Sequence, residues 1–404
     1  MAYATTDSVL LGMLTPQLYQ SMLVRASEMG ESRIVVGVHY PLDIIGSRAF
    51  VNYDLANYLS NPAYINNAAT TGTAVNLPSL MGAAQGEITT QLTAAAAAAN
   101  CGSSLATCAT SSANVNPYAP SAANAAVYAA RMTYGLPTVA NAPGALTDTQ
   151  GQDATILLAT VYGGSSQAAR TLPGELGLTS GMNGQLSTST IQQIIANTES
   201  APLAAFVGTE LSYWSRINLY APIGYFSGVT GTLNTTDGDL VTTDVTVASG
   251  GVIDVTGKFG IEEALGVAAG GALGFTLGGL IPGTGYSQVA VTGTSDLEGA
   301  LDVMLEKGFN LAVGNTFELV AAGDGLTDNI SGLSFDGSAC SALGGGLYGC
   351  GRYDKFWLGD PAGSLTLQVE AVPEPATWAT LLVGFASLGV LGRRAAQRKR
   401  ALSA

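Results

Sequence analysis

Ser32-Arg33-Ile34-Val35-Val36-Gly37-Val38-His39-Tyr40-Pro41-Leu42-Asp43 is the stretch from which the rest of the chain is read. Upstream of it, residues 5–30 read as helical and end near Gly30. Val9, Met13 and Leu14 recur at helical spacing, Pro16 breaks or restarts the pattern, and Leu18, Met22, Leu23 and Ala26 resume it. Downstream, Pro41 suits the first position of a helix, where its missing N–H costs nothing. That helix continues through Ile44, Ile45, Ala49, Phe50, Leu55 and Leu59. His39 therefore sits at a helix N-terminal mouth, where free N–H groups and the dipole favour an anion.

Further along, the character of the chain changes several times. Residues 61–125, with Leu92-Thr93-Ala94 to Ala99 and a Ser/Ala/Asn/Pro-rich run after Cys108, read as a low-complexity insertion, partly helical at best. Residues 126–228 return to helical patterns at Val127–Arg131, Ala154–Thr160 and Thr190–Asn197, and carry the aromatic segment Trp214–Tyr225. Residues 229–370 alternate with period two, as in Leu240–Val247, Gly251–Val255 and Leu273–Leu277, and are punctuated by Gly, Asn and Asp. Either an all-β sandwich or a parallel β-solenoid fits, and no strict repeat emerges. Residues 371–404 close with an apolar run, Ala379–Leu391, followed by a basic cluster. At the short limit for a bilayer span, this run predicts a C-terminal transmembrane helix with the basic cluster cytoplasmic. The predicted fold class is thus α+β multidomain: an all-α part forming an incomplete bundle, an all-β Gly-rich domain, and a transmembrane helix.

Composition narrows the function classes. The chain has 404 residues, 52 of them glycine, with 11% charged residues and a net charge of -14. Arg393, Arg394, Arg398, Lys399 and Arg400 crowd the C-terminus, so the body is more acidic still, which argues against nucleic acid as a partner. Low charge with abundant small residues is the composition of secreted or surface bacterial proteins. The four cysteines fall as two local pairs, Cys101 with Cys108 and Cys340 with Cys350. Read as disulfides they fit an oxidising compartment; read otherwise they are four small buried thiols. Neither pair has further Cys or His ligands nearby, so no metal site is expected. No secretory signal precedes Val9–Leu14.

The chemistry rests on four residues. Arg33 offers a planar fork of donors for two phosphate oxygens. His39, the only histidine, can attack through a ring nitrogen, and Asp43, one helical turn on, can fix its tautomer. Ser32-Arg33-x5-His39-x3-Asp43 resembles the third signature of the type 2 phosphatidic acid phosphatase and vanadium haloperoxidase superfamily. Tyr40–Gly46, Tyr53–Ala56, Arg131–Pro137, Leu157–Thr160 and Arg216–Ala221 are similar to secreted acid phosphatases of that family. The resemblance implies His39 as a nucleophile forming a phosphohistidine, Asp43 as its partner, and Arg33 with Ser32 as phosphate-binding residues. It also implies a phosphomonoester substrate and no cofactor, vanadate entering only if the chain is haloperoxidase-like. The family's first signature, a lysine and an arginine ahead of a proline, is absent, the first lysine being Lys258. So is Pro-Ser-Gly-His, whose histidine protonates the leaving group. Met1 is therefore expected to be an internal start, and the chain as given to be nearly inactive.

Pro373-Glu374-Pro375-Ala376-Thr377-Trp378, the apolar run and the arginine-rich end resemble the PEP-CTERM sorting signal of Gram-negative bacteria. That resemblance implies processing by an exosortase, tethering to the inner membrane beforehand, and a final place at the cell surface or in the matrix. The expected function is an exported acid phosphatase-like hydrolase. The alternative is a non-catalytic surface or exopolysaccharide-matrix protein with a relic phosphatase domain.

Overall fold

The computed structural model describes residues 2–60, 77–101, 104–111, 116–140, 154–163, 181–351 and 354–370. Nine α-helices are described: α1 Ala2–Leu14, α2 Tyr19–Val35, α3 Pro41–Ser60, α4 Leu77–Ala98, α5 Leu105–Ala109, α6 Ala122–Thr133, α7 Ala159–Tyr162, α8 Thr188–Thr198 and α9 Leu211–Arg216. Pro16 interrupts the first helical pattern as a 3-10 turn at Pro16–Leu18, and the Thr15 N–H and hydroxyl both close on the Leu11 carbonyl at 2.8 and 2.6 Å. The turn swings the buried Tyr19 ring over Gly12, where a Cβ would lie 2.3 Å from Tyr19 Cδ2. The Tyr19 hydroxyl donates to the Leu157 carbonyl at 3.0 Å, tying α2 to the 3-10 segment Ala154–Leu158. Helix α2 runs past Gly30, which is buried within it, to Val35.

The strands follow as coils. After β1 Gly184–Gln185 come β2 Thr232–Asn234, β3 Leu240–Val241 and β4 Val245–Val247, then β5 Val252–Asp254, β6 Lys258–Ile261 and β7 Leu265–Val267. The third coil is β8 Ala272–Leu277, β9 Gln288–Val291 and β10 Ser295–Leu297. The fourth is β11 Ala300–Leu305, β12 Thr316–Ala322 and β13 Leu326–Asp328, followed by β14 Gly332–Phe335. Each strand pairs in parallel with its counterpart one coil away, giving three faces. On one face Leu233, Ile253, Leu273, Leu301 and Leu333 stand in register, all buried. Stacking identical inward positions lets each rung bury its apolar side chain on the next while the backbone groups pair along the axis. Gly250 and Gly270 sit at matching corners with φ of +81° and +85°, a left-handed conformation that a side chain would resist.

Both ends of the stack are covered. At the far end β15 Ser338–Ala339, β16 Ser341–Gly344, β17 Leu347–Cys350, β18 Asp354–Gly359 and β19 Ser364–Glu370 pair antiparallel, with β19 laid on β12. Cys340 is joined to Cys350 there, and Cys101 to Cys108 in the helical part. At the near end α8 covers the open edge of β2. Gln193 Nε2 donates to the Asn234 carbonyl at 3.0 Å, and the Asn234 N–H donates back to Gln193 Oε1 at 2.9 Å. A side-chain amide thus stands where another strand would pair. Asp239 locks the same junction, its oxygens accepting from the Ser187 N–H, the Thr190 hydroxyl and the Thr236 N–H.

These contacts correct the predicted fold class. Helices combine with large mixed and parallel sheets in an α/β arrangement whose apolar core is continuous from Val9 to Val369. The stretch expected to be all-α contributes β1, which pairs antiparallel with β3, and an isolated bridge between Thr138 and Leu203. The sandwich alternative fails because the coil strands pair in parallel between successive turns. Among the described residues no helix is long and apolar enough to cross a membrane. The transmembrane helix read from hydropathy, with Pro373, Glu374 and Pro375, falls in 371–404, outside the described residues. Within the expected low-complexity insertion, α4 is a regular 22-residue helix.

One buried pair predicts a pH dependence. Glu199, which ends α8, contacts the Arg216 guanidinium, and Arg216 Nε also donates to the Ser200 carbonyl at 3.2 Å. Glu199 Oε2 is sealed without a partner among the described residues. Burial pushes the Glu199 carboxyl from its ordinary 4.5 up to about 7, with Arg216 pulling the other way. Between those two values the folded state therefore holds a proton that the unfolded chain has lost. Stability should fall as pH rises from about 4.5 through about 7, by on the order of 3 kcal/mol at 1.36 kcal/mol per pH unit. Denaturant titrations at pH 5 and 7.5 should show this loss in the wild type and a flatter profile in Glu199→Gln. The same pH slope in both proteins would rule the assignment out.

Candidate phosphoryl-transfer site

Helix α2, a glycine turn and the start of α3 bring the four motif residues to one corner of the molecule. Arg33 lies in the last turn of α2. Its carbonyl accepts from the N–H groups of both Val38 and His39, at 3.1 and 3.2 Å, so the chain folds back on itself there. Gly37 makes the reversal with φ of +72° and donates to the Ile34 carbonyl at 2.9 Å. Pro41 then starts α3. Asp43 is the third residue of α3, and its Oδ2 reaches back to accept from the N–H of Tyr40, the residue before the helix, at 3.1 Å.

The same Asp43 Oδ2 stands 3.5 Å from His39 Nδ1. That separation is longer than an ordinary N–H to O hydrogen bond and close enough for the carboxylate to favour a proton on Nδ1. Nε2 is then the ring nitrogen that carries the free lone pair. The Ser32 hydroxyl is spent on the Met29 carbonyl at 2.8 Å. Arg33 has no ion pair or side-chain hydrogen bond among the described residues, which leaves its guanidinium free for an anion.

The corner is open. Ser32, Arg33, His39 and Asp43 are all exposed, and Val35, Val36, Val38 and Tyr40 around them are 76, 65, 60 and 78% accessible. Low-dielectric walls that would strengthen the charge interactions of a phosphoryl site are not formed here by the described residues. The described residues of the corner offer an imidazole, a carboxylate facing it and one guanidinium; among them there is no second cation and no second histidine.

What holds α3 in place was not singled out from the sequence. Arg48, on the core side of α3, donates through Nη1 to the Arg131 carbonyl at 3.2 Å. Through Nη2 it reaches the carbonyls of Met132 and Ser215, at 2.9 and 3.2 Å. It thereby satisfies the C-terminal carbonyls of α6 and pins α3 against α9. A lone arginine between Ile44 and Asn52, all three on the buried face of one amphipathic helix, was the available signal. Among the described residues no cluster of His, Cys, Asp or Glu forms a metal-binding group.

No family model matches the chain, and no curated protein matches it.

Proposed function

We propose that this chain carries phosphohistidine chemistry of the acid-phosphatase kind, with His39 as nucleophile and a phosphomonoester as substrate, in an exported bacterial protein. The observation that carries the reading is the Asp43 carboxylate facing His39 Nδ1 at 3.5 Å, in a turn whose Arg33 has no side-chain partner among the described residues. Acting as written, Nε2 attacks phosphorus, the P–O ester bond breaks, and the leaving group departs with the electron pair. Water then attacks phosphorus and returns His39 with inorganic phosphate. Export is supported by composition and by the resemblance of Pro373-Glu374-Pro375 to a sorting signal read by an exosortase.

The openness of the corner favours a second reading, a non-catalytic surface or matrix protein in which the motif is a relic and the stacked coils make the contacts. Phosphoramidate, a donor with a good leaving group, separates the two. Mass spectrometry under neutral conditions should find an acid-labile phosphoryl group on His39 of the full chain, and none in His39→Ala. An unlabelled wild type would leave the matrix reading standing. Steady-state turnover of p-nitrophenyl phosphate should be negligible, because the described residues at this exposed corner offer one guanidinium and no enclosing walls to stabilise the transferring phosphoryl group.

A further inference from the structure

Trp357 stands outside the core that the rest of β18 faces. Its neighbours Phe356 and Leu358 are buried, and Phe356 stacks on Phe335 at 4.7 Å, so strand alternation turns Trp357 to the outer side of the antiparallel cap. There the indole lies down on the sheet, in a slot that two glycines leave open. A Cβ at Gly359 would collide with Cζ2, Cη2 and Cε2 of the ring, and one at Gly346 would stand 3.1 Å from Nε1. Contact with three successive ring carbons is contact with a ring face, so the opposite face is turned away from the backbone. Trp357 is half-buried, and among the described residues it has no aromatic partner and no acceptor for its N–H.

The register names what surrounds the ring. Leu347 of β17 lies opposite Trp357 on one side and Gln368 of β19 on the other, with Thr316 of β12 beyond it. In the next outward row Gly349, Lys355 and Glu370 stand side by side. The side chains of Gln368, Lys355 and Glu370 make no hydrogen bond or ion pair among the described residues. Leu347 and Trp357 are thus two large apolar groups in a face otherwise made of glycine, amide, hydroxyl and charge of both signs. Such a face offers a protein partner little apolar surface to bury. A polyanion would meet Glu370 and a chain of net charge -14. A pyranose ring fits better, since it presents C–H bonds on one face, which an aromatic ring can cover, and hydroxyls around its rim for free amide and ammonium groups.

We propose that the outer face of the cap binds an uncharged polysaccharide, one hexopyranose unit stacking on Trp357 with its hydroxyls held by Gln368 and Lys355. The site belongs to β18 and β19, away from His39, and stands whether or not His39 is phosphorylated. Affinity electrophoresis of the full chain tests it, in native gels cast with hydroxyethyl cellulose, glucomannan, galactan or dextran, and with polygalacturonate as the charged control. At least one neutral gel should retard the wild type, and polygalacturonate should not. In that gel Trp357→Ala should lower the apparent affinity by about tenfold or more. Gln368→Ala, which leaves the indole in its slot, should weaken binding as well. Both variants should melt with the wild type, because neither side chain belongs to the core. Free migration of the wild type in all four neutral gels would overturn the proposal. So would equal retardation of the wild type and Trp357→Ala, or retardation by polygalacturonate as strong as by a neutral polymer.

Discussion

Phe259→Ala should destabilise the helical part and the β-coils together, by about 3–5 kcal/mol. Phe259 belongs to β6, is 1% exposed, and lies with its ring centroid 6.4 Å from that of Phe226 in the 3-10 segment Ala221–Ser227. Phe226 in turn meets Tyr162 edge-on at 5.9 Å. The three rings form one strip running from the helices into the second coil. Removing Phe259, the coil end of the strip, leaves a cavity against Phe226 that neither side can fill alone, because the parallel rungs fix the spacing on one side and α8 with Asp239 fixes it on the other. Hydrogen exchange reads the outcome directly. Amides of α3 and of β5–β7 should lose protection in parallel, by about 10²–10⁴-fold at 1.4 kcal/mol per tenfold. Loss confined to the coil amides would show that the shared core does not couple the two parts.

That coupling was hidden in the sequence for a physical reason. Periodicity reports which face of an element is apolar and nothing about what covers it. The helical stripes and the alternating strands were each legible, and Pro41 and Gly37 marked the turn between α2 and α3 through their backbone requirements. That the two apolar sets meet in one core depends on Phe226, Phe259 and the α8 amides, and the periodicity of α8 and β6 says which faces are apolar without saying that they face each other. Gly30 misled in the opposite direction. Read as a helix terminator, it is instead a small buried residue inside α2.

The coil repeat was obscured by its own irregularity. The inward leucine or isoleucine falls at 233, 253 and 273, an even spacing of 20, and then at 301 and 333 because the third and fourth coils carry long loops before β9 and β12. Two regular intervals followed by two irregular ones do not read as a period. Loops of this kind can grow on the outside of a coil without disturbing the inward ladder, so the fold tolerates what hides it. At the site, the spacing of Arg33, His39 and Asp43 was visible. Their exposure was not, because it depends on which distant segments fail to cover them. Arg48 was passed over because a basic residue on a helix is ordinarily a solvated one.

Phosphoryl donors should sort by leaving group, and steeply. His39 can form the N–P bond with only Asp43 behind it, but departure of the ester oxygen needs either a proton or an intrinsically stable anion. General acid catalysis is worth about 10²–10⁴-fold where it exists, and at this corner nothing described supplies it: Asp43 is committed to His39 and the Tyr40 N–H. A dinitrophenolate leaves without a proton; an alkoxide does not. Labelling of His39 by 2,4-dinitrophenyl phosphate should therefore outrun labelling by phenyl phosphate by at least about 100-fold, and alkyl phosphates should give none. Asp43→Asn should slow labelling by the activated donor further, since an amide cannot stabilise the positive ring formed on attack, and should preserve the preference among donors. A flat dependence on the leaving group would mean that a proton donor acts at the site after all. Label persisting in His39→Ala would place the chemistry on another residue.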